Sequence, residues 1–133
     1  MTLTGFDYIV LCVADMEKSV AFYSEHLGMQ PREERPGKWS LHFGAHKISL
    51  QDVRAHPDIA ADTIPGTANF CVLTDEPVGE IARRLGDDGV EITASGERDG
   101  ATGKLQSIYF RDPDGNLVEV SNAVGLEPFQ FRR

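Results

Sequence analysis

Apolar and polar residues alternate along most of this chain, and a helical period interrupts the alternation twice. Phe6 to Val13 (FDYIVLCV) is rich in β-branched and aromatic residues and predicts a strand. Asp15 follows as a helix N-cap. Met16, Val20, Tyr23 and Leu27 then fall on one stripe of a 3.6-residue period, and Gly28 stands where a left-handed C-cap is expected. Met29 to Glu34 predicts a short strand that Arg35-Pro36-Gly37 breaks. Trp39 to Phe43 and Lys47 to Val53 predict two more, turned at Gly44-Ala45, and Arg54 to Gly66 carries no period.

The pattern then starts again. Thr67 to Thr74 predicts a strand, Val78, Ile81 and Leu85 mark a helix, Gly89 ends it, and Val90 to Ala94 predicts a strand. Ser107 to Asn122 (SIYFRDPDGNLVEVSN) predicts a hairpin, because Asp112-Pro113-Asp114-Gly115-Asn116 is dense turn chemistry. Each half reads β-α-β-β-β, so the fold class expected is α+β, in one domain of two tandem modules. Module one spans 5–53, a linker 54–66, module two 67–122 and a tail 123–133. Laying Gly28 on Gly89 sets Tyr8 on Asn69, and laying Phe43 on Phe110 sets Gln51 on Glu119 after a one-residue gap.

Side chains alternate across a strand, which assigns the faces. Ile9, Leu11, Val13, Ile48, Leu50, Phe70, Val72, Val118 and Val120 share the parity expected under the helices. The opposite face carries Tyr8, Val10, Cys12, Ser49, Gln51, Asn69, Cys71, Leu73, Leu117, Glu119 and Ser121. A lone Glu on a half-buried strand is most simply a solvated carboxylate. A face half apolar, with a few convergent polar groups, reads instead as the lining of a small-molecule pocket. His42 shares the parity of Ser40 and faces the same way, whereas His46 and His56 sit in turn and loop and His26 suits the end of the first helix.

Composition narrows the classes. The 133 residues fit one compact domain, with 41% hydrophobic and 26% charged residues. A net charge of -8 excludes nucleic acid as a favoured partner, because phosphate demands a basic surface. No run approaches a membrane span and no leader pattern opens the chain, so a cytoplasmic location is the expectation. Cys12 and Cys71 lie in strand-like runs without metal spacing and read as reduced, buried thiols.

The duplication, the opening FDYIVLCVADMEKSVAFYSEHLGM and the closing SIYFRDPDGNLVEVSN resemble the vicinal oxygen chelate superfamily of glyoxalases, bleomycin-resistance proteins and extradiol dioxygenases. PGTANFCVLT (Pro65 to Thr74) and a glycine-bearing loop, Arg98 to Gly103, resemble its small glyoxalase-domain proteins in particular. The resemblance implies a cup-shaped eight-stranded mixed sheet and a divalent metal held by one residue from each of four strands. The four positions are Tyr8, Gln51, Asn69 and Glu119, and only Glu119 keeps the usual residue type. Histidine, the commonest ligand there, is missing from all four, so a metal is expected to be weak or absent, with Gln51 and Glu119 as its degenerate ligands. Tyr8, His42, Gln51, Asn69 and Arg98 are then the expected substrate-binding residues, and Glu119 and Tyr8 the catalytic ones.

Two functional readings stay open at this point. One is an organic-ligand-binding protein, and the other a metal-dependent lyase, isomerase or dioxygenase of the glyoxalase type. A homodimer is implied, with the tail from Glu127 to Phe131 packed across its interface. Glu119→Gln is expected to cost little stability, since no Lys or Arg stands at the other three ligand positions.

Overall fold

The computed structural model of the chain describes residues 1, 2, 4, 6–54 and 64–126; His56 and the tail from Glu127 onward lie outside the described residues. Among the described residues the order is β1 (Tyr8–Val13), α1 (Met16–Leu27), β2 (Gln30–Arg35), β3 (Lys38–Phe43), β4 (His46–Asp52), β5 (Asn69–Leu73), α2 (Val78–Asp87), β6 (Ala94–Asp99), β7 (Gly103–Arg111) and β8 (Leu117–Leu126). The strands fall into two four-stranded mixed sheets, β1-β4-β3-β2 and β5-β8-β7-β6. In each, the first pair is parallel and the other two are antiparallel. The α+β class and the internal duplication are therefore as the repeat predicts. Two compact units result: Met1–Ala68 with Asp112–Asn116, and Asn69–Arg111 with the chain from Leu117.

In the first unit α1 starts where it does because the Asp15 carboxylate accepts from Lys18 N at 3.1 Å, a cap worth about 1 kcal/mol. It stops at Gly28, whose φ of 68° suits a residue without Cβ. Leu11, Val13, Leu41, Ile48 and Leu50 form the core with Tyr23 and Met29, all at most 3% exposed. The Asp112–Asn116 turn is anchored on α1 by polar groups. Asp112 is buried and accepts from Tyr23 Oη at 2.7 Å, from the backbone N–H of Asp114 and Asn116 at 2.9 Å each, and from Asn116 Nδ2 at 2.8 Å. Asp114 accepts from Ala14 N at 3.1 Å and Ser19 Oγ at 3.4 Å, and Asn116 Oδ1 accepts from Ala68 N at 2.9 Å. Burial, and then the Asp112 carboxylate beside it, push the Tyr23 phenol well above its ordinary value.

In the second unit Val78, Ile81 and Leu85 bury one stripe of α2 against β7 and β8, where Ile108, Phe110, Val118 and Val120 are buried. Pro77 has no side chain that can cap α2. Asn122 supplies the cap from β8: its Oδ1 accepts from Val78 N at 2.9 Å, and its Nδ2 donates to the carbonyls of Thr74 and Glu76 at 2.8 Å each. The strand expected at Val90 to Ala94 lies later, at Ala94–Asp99, so Arg98 and Asp99 belong to a strand and only Gly100 to Thr102 remain as the turn. Pairing with β7 sets this strand, from Ala94 opposite Tyr109 to Asp99 opposite Lys104, while its own residues (ASGERD) carry no apolar alternation. β8 likewise runs past Asn122 to Leu126.

Candidate functional site

In the second unit the parity of β8 buries Val118 and Val120 and turns Glu119 and Ser121 to the other face. Across the sheet, Glu119 stands between Cys71 on β5 and Tyr109 on β7, and Ser121 stands opposite Ser107. A continuous polar network results. Ser107 Oγ donates to Glu119 Oε2 at 2.7 Å, Ser121 Oγ to the same oxygen at 3.3 Å, and the two serine hydroxyls are 2.6 Å apart. Cys71 Sγ lies 3.3 Å from Ser121 Oγ. Tyr109, opposite Glu119, accepts through its phenol oxygen from Arg98 Nε at 3.2 Å, with the guanidinium 5.2 Å from the ring centroid. Desolvation first, and then the Glu119 carboxylate across the sheet, raise the Tyr109 phenol against the lowering by Arg98, so it stays protonated at neutral pH.

The first unit carries a second network on the sheet face that bears Tyr8. Lys47 stands opposite both Tyr8 and His42, and its ammonium lies 5.2 Å from the Tyr8 ring centroid. It donates to Glu34 Oε2 at 3.0 Å, which also accepts from Ser40 Oγ at 2.9 Å. His42 Nε2 is 2.9 Å from Ser40 Oγ and 4.0 Å from Glu34 Oε2. The Lys47 bond first, and then the Ser40 bond, hold the Glu34 carboxyl below its ordinary value.

Each residue expected from the sequence now has a place. Glu119 and Arg98 join one network through Tyr109. His42 shares the face of Ser40, as its parity predicts. Tyr8 and Gln51 are not brought together: Tyr8 is opposite Lys47 and Gln51 opposite Cys12, four residues further along the paired strands, or about 13 Å at the usual rise. Asn69 is opposite Leu117 and Glu119 opposite Cys71, two residues or about 7 Å apart along their pair. Cys71 is exposed rather than buried, because it shares the open parity of Asn69 and Leu73 while Phe70 and Val72 turn the other way; Cys12 is buried as expected, and both are free thiols.

Tyr109, Ser107, Lys47 and Glu34 were not among the expected site residues. Counting back across the hairpin turn from Glu119 would have found Tyr109 and Ser107, since an antiparallel pair places them opposite Glu119 and Ser121. Glu34 has no such signal, because the register slips between Glu33 and Arg35.

The donor chemistry does not fit the metal that the resemblance implies. Neither unit offers an imidazole at the four positions, the register separates Tyr8 from Gln51, and Glu119 Oε2 is already taken by two hydroxyl donors. Among the described residues no group of three or more His, Cys, Asp and Glu could hold a metal ion.

Gly96 gives Arg98 its room. A Cβ there would lie 2.8 Å from Arg98 Nη1, and its φ of 146° disfavours any side chain. Gly96→Ala is expected to cost about 1–2 kcal/mol and to lift the guanidinium off Tyr109. Chemical denaturation together with the Arg98 Nε–H NMR signal checks this, and an unshifted signal contradicts it.

Comparison with known proteins agrees with this fold. The family model "Glyoxalase/Bleomycin resistance protein/Dioxygenase superfamily" matches residues 5–120. The chain is 38% identical to Virulence protein STM3117 of Salmonella typhimurium over 93% of this chain and 88% of that one. The crystal structure of that protein superposes with a TM-score of 0.87, at 36% identity over 93% of this chain and 100% of that chain. Glyoxalase domain-containing protein RDO1 of Mycosarcoma maydis is 32% identical over 92% of this chain and 70% of its own. Metallothiol transferase FosB of Shouchella clausii is 30% identical over 89% and 80%. With its duplicated module, its two like-ordered sheets and these matches, the chain belongs to the glyoxalase/bleomycin resistance protein/dioxygenase superfamily.

Proposed function

We propose that this member of the superfamily binds a small organic molecule without a transition metal, on the sheet face of the second unit that carries Arg98, Tyr109 and Glu119. The observation that supports this reading best is the wiring of Glu119. Its Oε2 is held by Ser107 and Ser121, Tyr109 stands opposite it on β7, and Arg98 donates to the Tyr109 phenol oxygen. Such a row is held by hydrogen bonds and presents acceptor and donor groups side by side, with the exposed apolar Leu73 on the same face of the sheet. The ligand it suits offers a hydroxyl or ammonium donor to Glu119 and an acceptor oxygen to Arg98. His42, Gln51, Tyr8 and Asn69 remain proposed ligand contacts on the corresponding faces.

A thermal-shift screen of polar organic molecules in the presence of chelator tests the reading. Compounds that raise the melting temperature of the wild-type chain are expected to lose that effect in both Tyr109→Phe and Glu119→Gln. Stabilisation that survives both substitutions contradicts it.

The likeness to a metallothiol transferase favours a second reading, a divalent-metal-dependent lyase, isomerase or dioxygenase, with Gln51 and Glu119 as ligands and Tyr8 or His42 moving protons. The departures at Tyr8, Gln51 and Asn69 make it the weaker of the two.

Assembly belongs to the proposal as well. Val10, Tyr8 and Ile9 on β1, and Leu73 on β5, are 48%, 49%, 37% and 66% exposed, which is more large apolar surface than these short strands would leave in water. A homodimer is expected, and light scattering that gives a monomer at micromolar concentration contradicts it. No described helix is long and apolar enough to cross a membrane.

A further inference from the structure

A cavity of about 430 Å³ lies in the first unit. Its walls are Met16, Glu17 and Val20 on α1, Trp39 at the start of β3 and Asp52 at the end of β4. Trp39 has the parity of Leu41, not that of Ser40 and His42, so the cavity is on the helix side of the sheet. Ala21 and Gly37, the smallest lining residues, keep it open. The volume is that of an ordinary small-molecule site.

We propose that this cavity binds an apolar organic cation, an ammonium group carried on an aromatic or branched hydrocarbon body. Three observations lead there. The walls are apolar apart from two carboxylates, Glu17 and Asp52, with no Lys or Arg among them. The half-buried indole of Trp39 offers the ring that best attracts a cation. The net charge of -8 draws cations towards the whole molecule. Asp52 does have a cationic neighbour: Arg54 donates its backbone N–H to Oδ1 at 2.8 Å, and its guanidinium reaches Oδ1 from Nε at 3.4 Å and Oδ2 from Nη2 at 3.5 Å. That Arg54 side chain is 76% exposed, and so exposed a pair is worth little and yields to a better-desolvated cation.

Trp39 is the only tryptophan of the chain, so its emission reports on this cavity directly. Phenyltrimethylammonium serves as the probe and tert-butylbenzene as its neutral isostere. The cation is expected to change the emission saturably and to bind about tenfold more tightly than the isostere. Glu17→Gln combined with Asp52→Asn removes that preference. Ala21→Leu, an exposed helix position at which leucine is a good helix former, fills the cavity and abolishes the response. A change in emission that does not saturate, equal affinity for the isostere, or wild-type binding in a folded Ala21→Leu chain overturns the proposal.

Discussion

Asp112→Ala is expected to lower the free energy of unfolding by about 3–5 kcal/mol, the largest effect of any polar substitution in this chain. Four donors converge on that carboxylate: Tyr23 Oη, two backbone N–H groups and Asn116 Nδ2. Tyr23 is fully buried, so its hydroxyl has no water to turn to when the carboxylate is removed. For a domain of this size the melting temperature should fall by roughly 10–20 °C. Tyr23→Phe removes one bond and should cost only about 1–2 kcal/mol. It should also flatten the alkaline limb of the stability profile. Tyr23 has a raised pKa when folded, so its contribution is complete below the ordinary tyrosine value of about 10 and is lost as the pH rises beyond it. Denaturant melts of the two variants at neutral and at alkaline pH measure both effects. A loss below about 1 kcal/mol for Asp112→Ala would show that water satisfies the turn instead.

The second large effect concerns Glu119, where the structure reverses the expectation drawn from sequence. Glu119→Gln was expected to be nearly neutral because no cation stands at the other ligand positions. The carboxylate is in fact held by the hydroxyls of Ser107 and Ser121, both donors to an anion. The substitution should therefore cost about 1–3 kcal/mol. A double-mutant cycle with Ser107→Ala should return a coupling of about 1–2 kcal/mol, since one variant removes the donor of the 2.7 Å bond and the other the charge on its acceptor. A coupling near zero, with Glu119→Gln as stable as wild type, would leave Glu119 a surface carboxylate with no part in an organised site.

Much of the fold is legible in the sequence because its signals are local. The stripe from Met16 to Leu27, with Asp15 before it and Gly28 after it, fixes α1 at both ends. Val78, Ile81 and Leu85 mark the buried face of α2 without help from a cap in their own segment. What the sequence hides is set by pairing. β6 has no apolar alternation and exists because β7 runs beside it, and the α2 cap comes from Asn122, more than forty residues along the chain.

The site divides in the same way. Strand parity places Glu119, Gln51, Tyr8, Asn69 and His42 on the open faces, but parity says nothing about how far along a strand two residues stand. That distance is the register, and it separates Tyr8 from Gln51 while it brings Tyr109 beside Glu119. Arg98 seemed to belong to a loop, and only the later placement of β6 explains how it reaches Tyr109.

Metal content tests the central claim most directly. The chain, purified without chelators, is to be analysed for bound metal and then titrated calorimetrically with nickel, zinc, manganese and iron(II). The donor set around Glu119 predicts substoichiometric metal as isolated and no saturable uptake at micromolar concentration. One equivalent of metal per chain, lost in Glu119→Gln, would contradict the account and put the metal-dependent enzyme first.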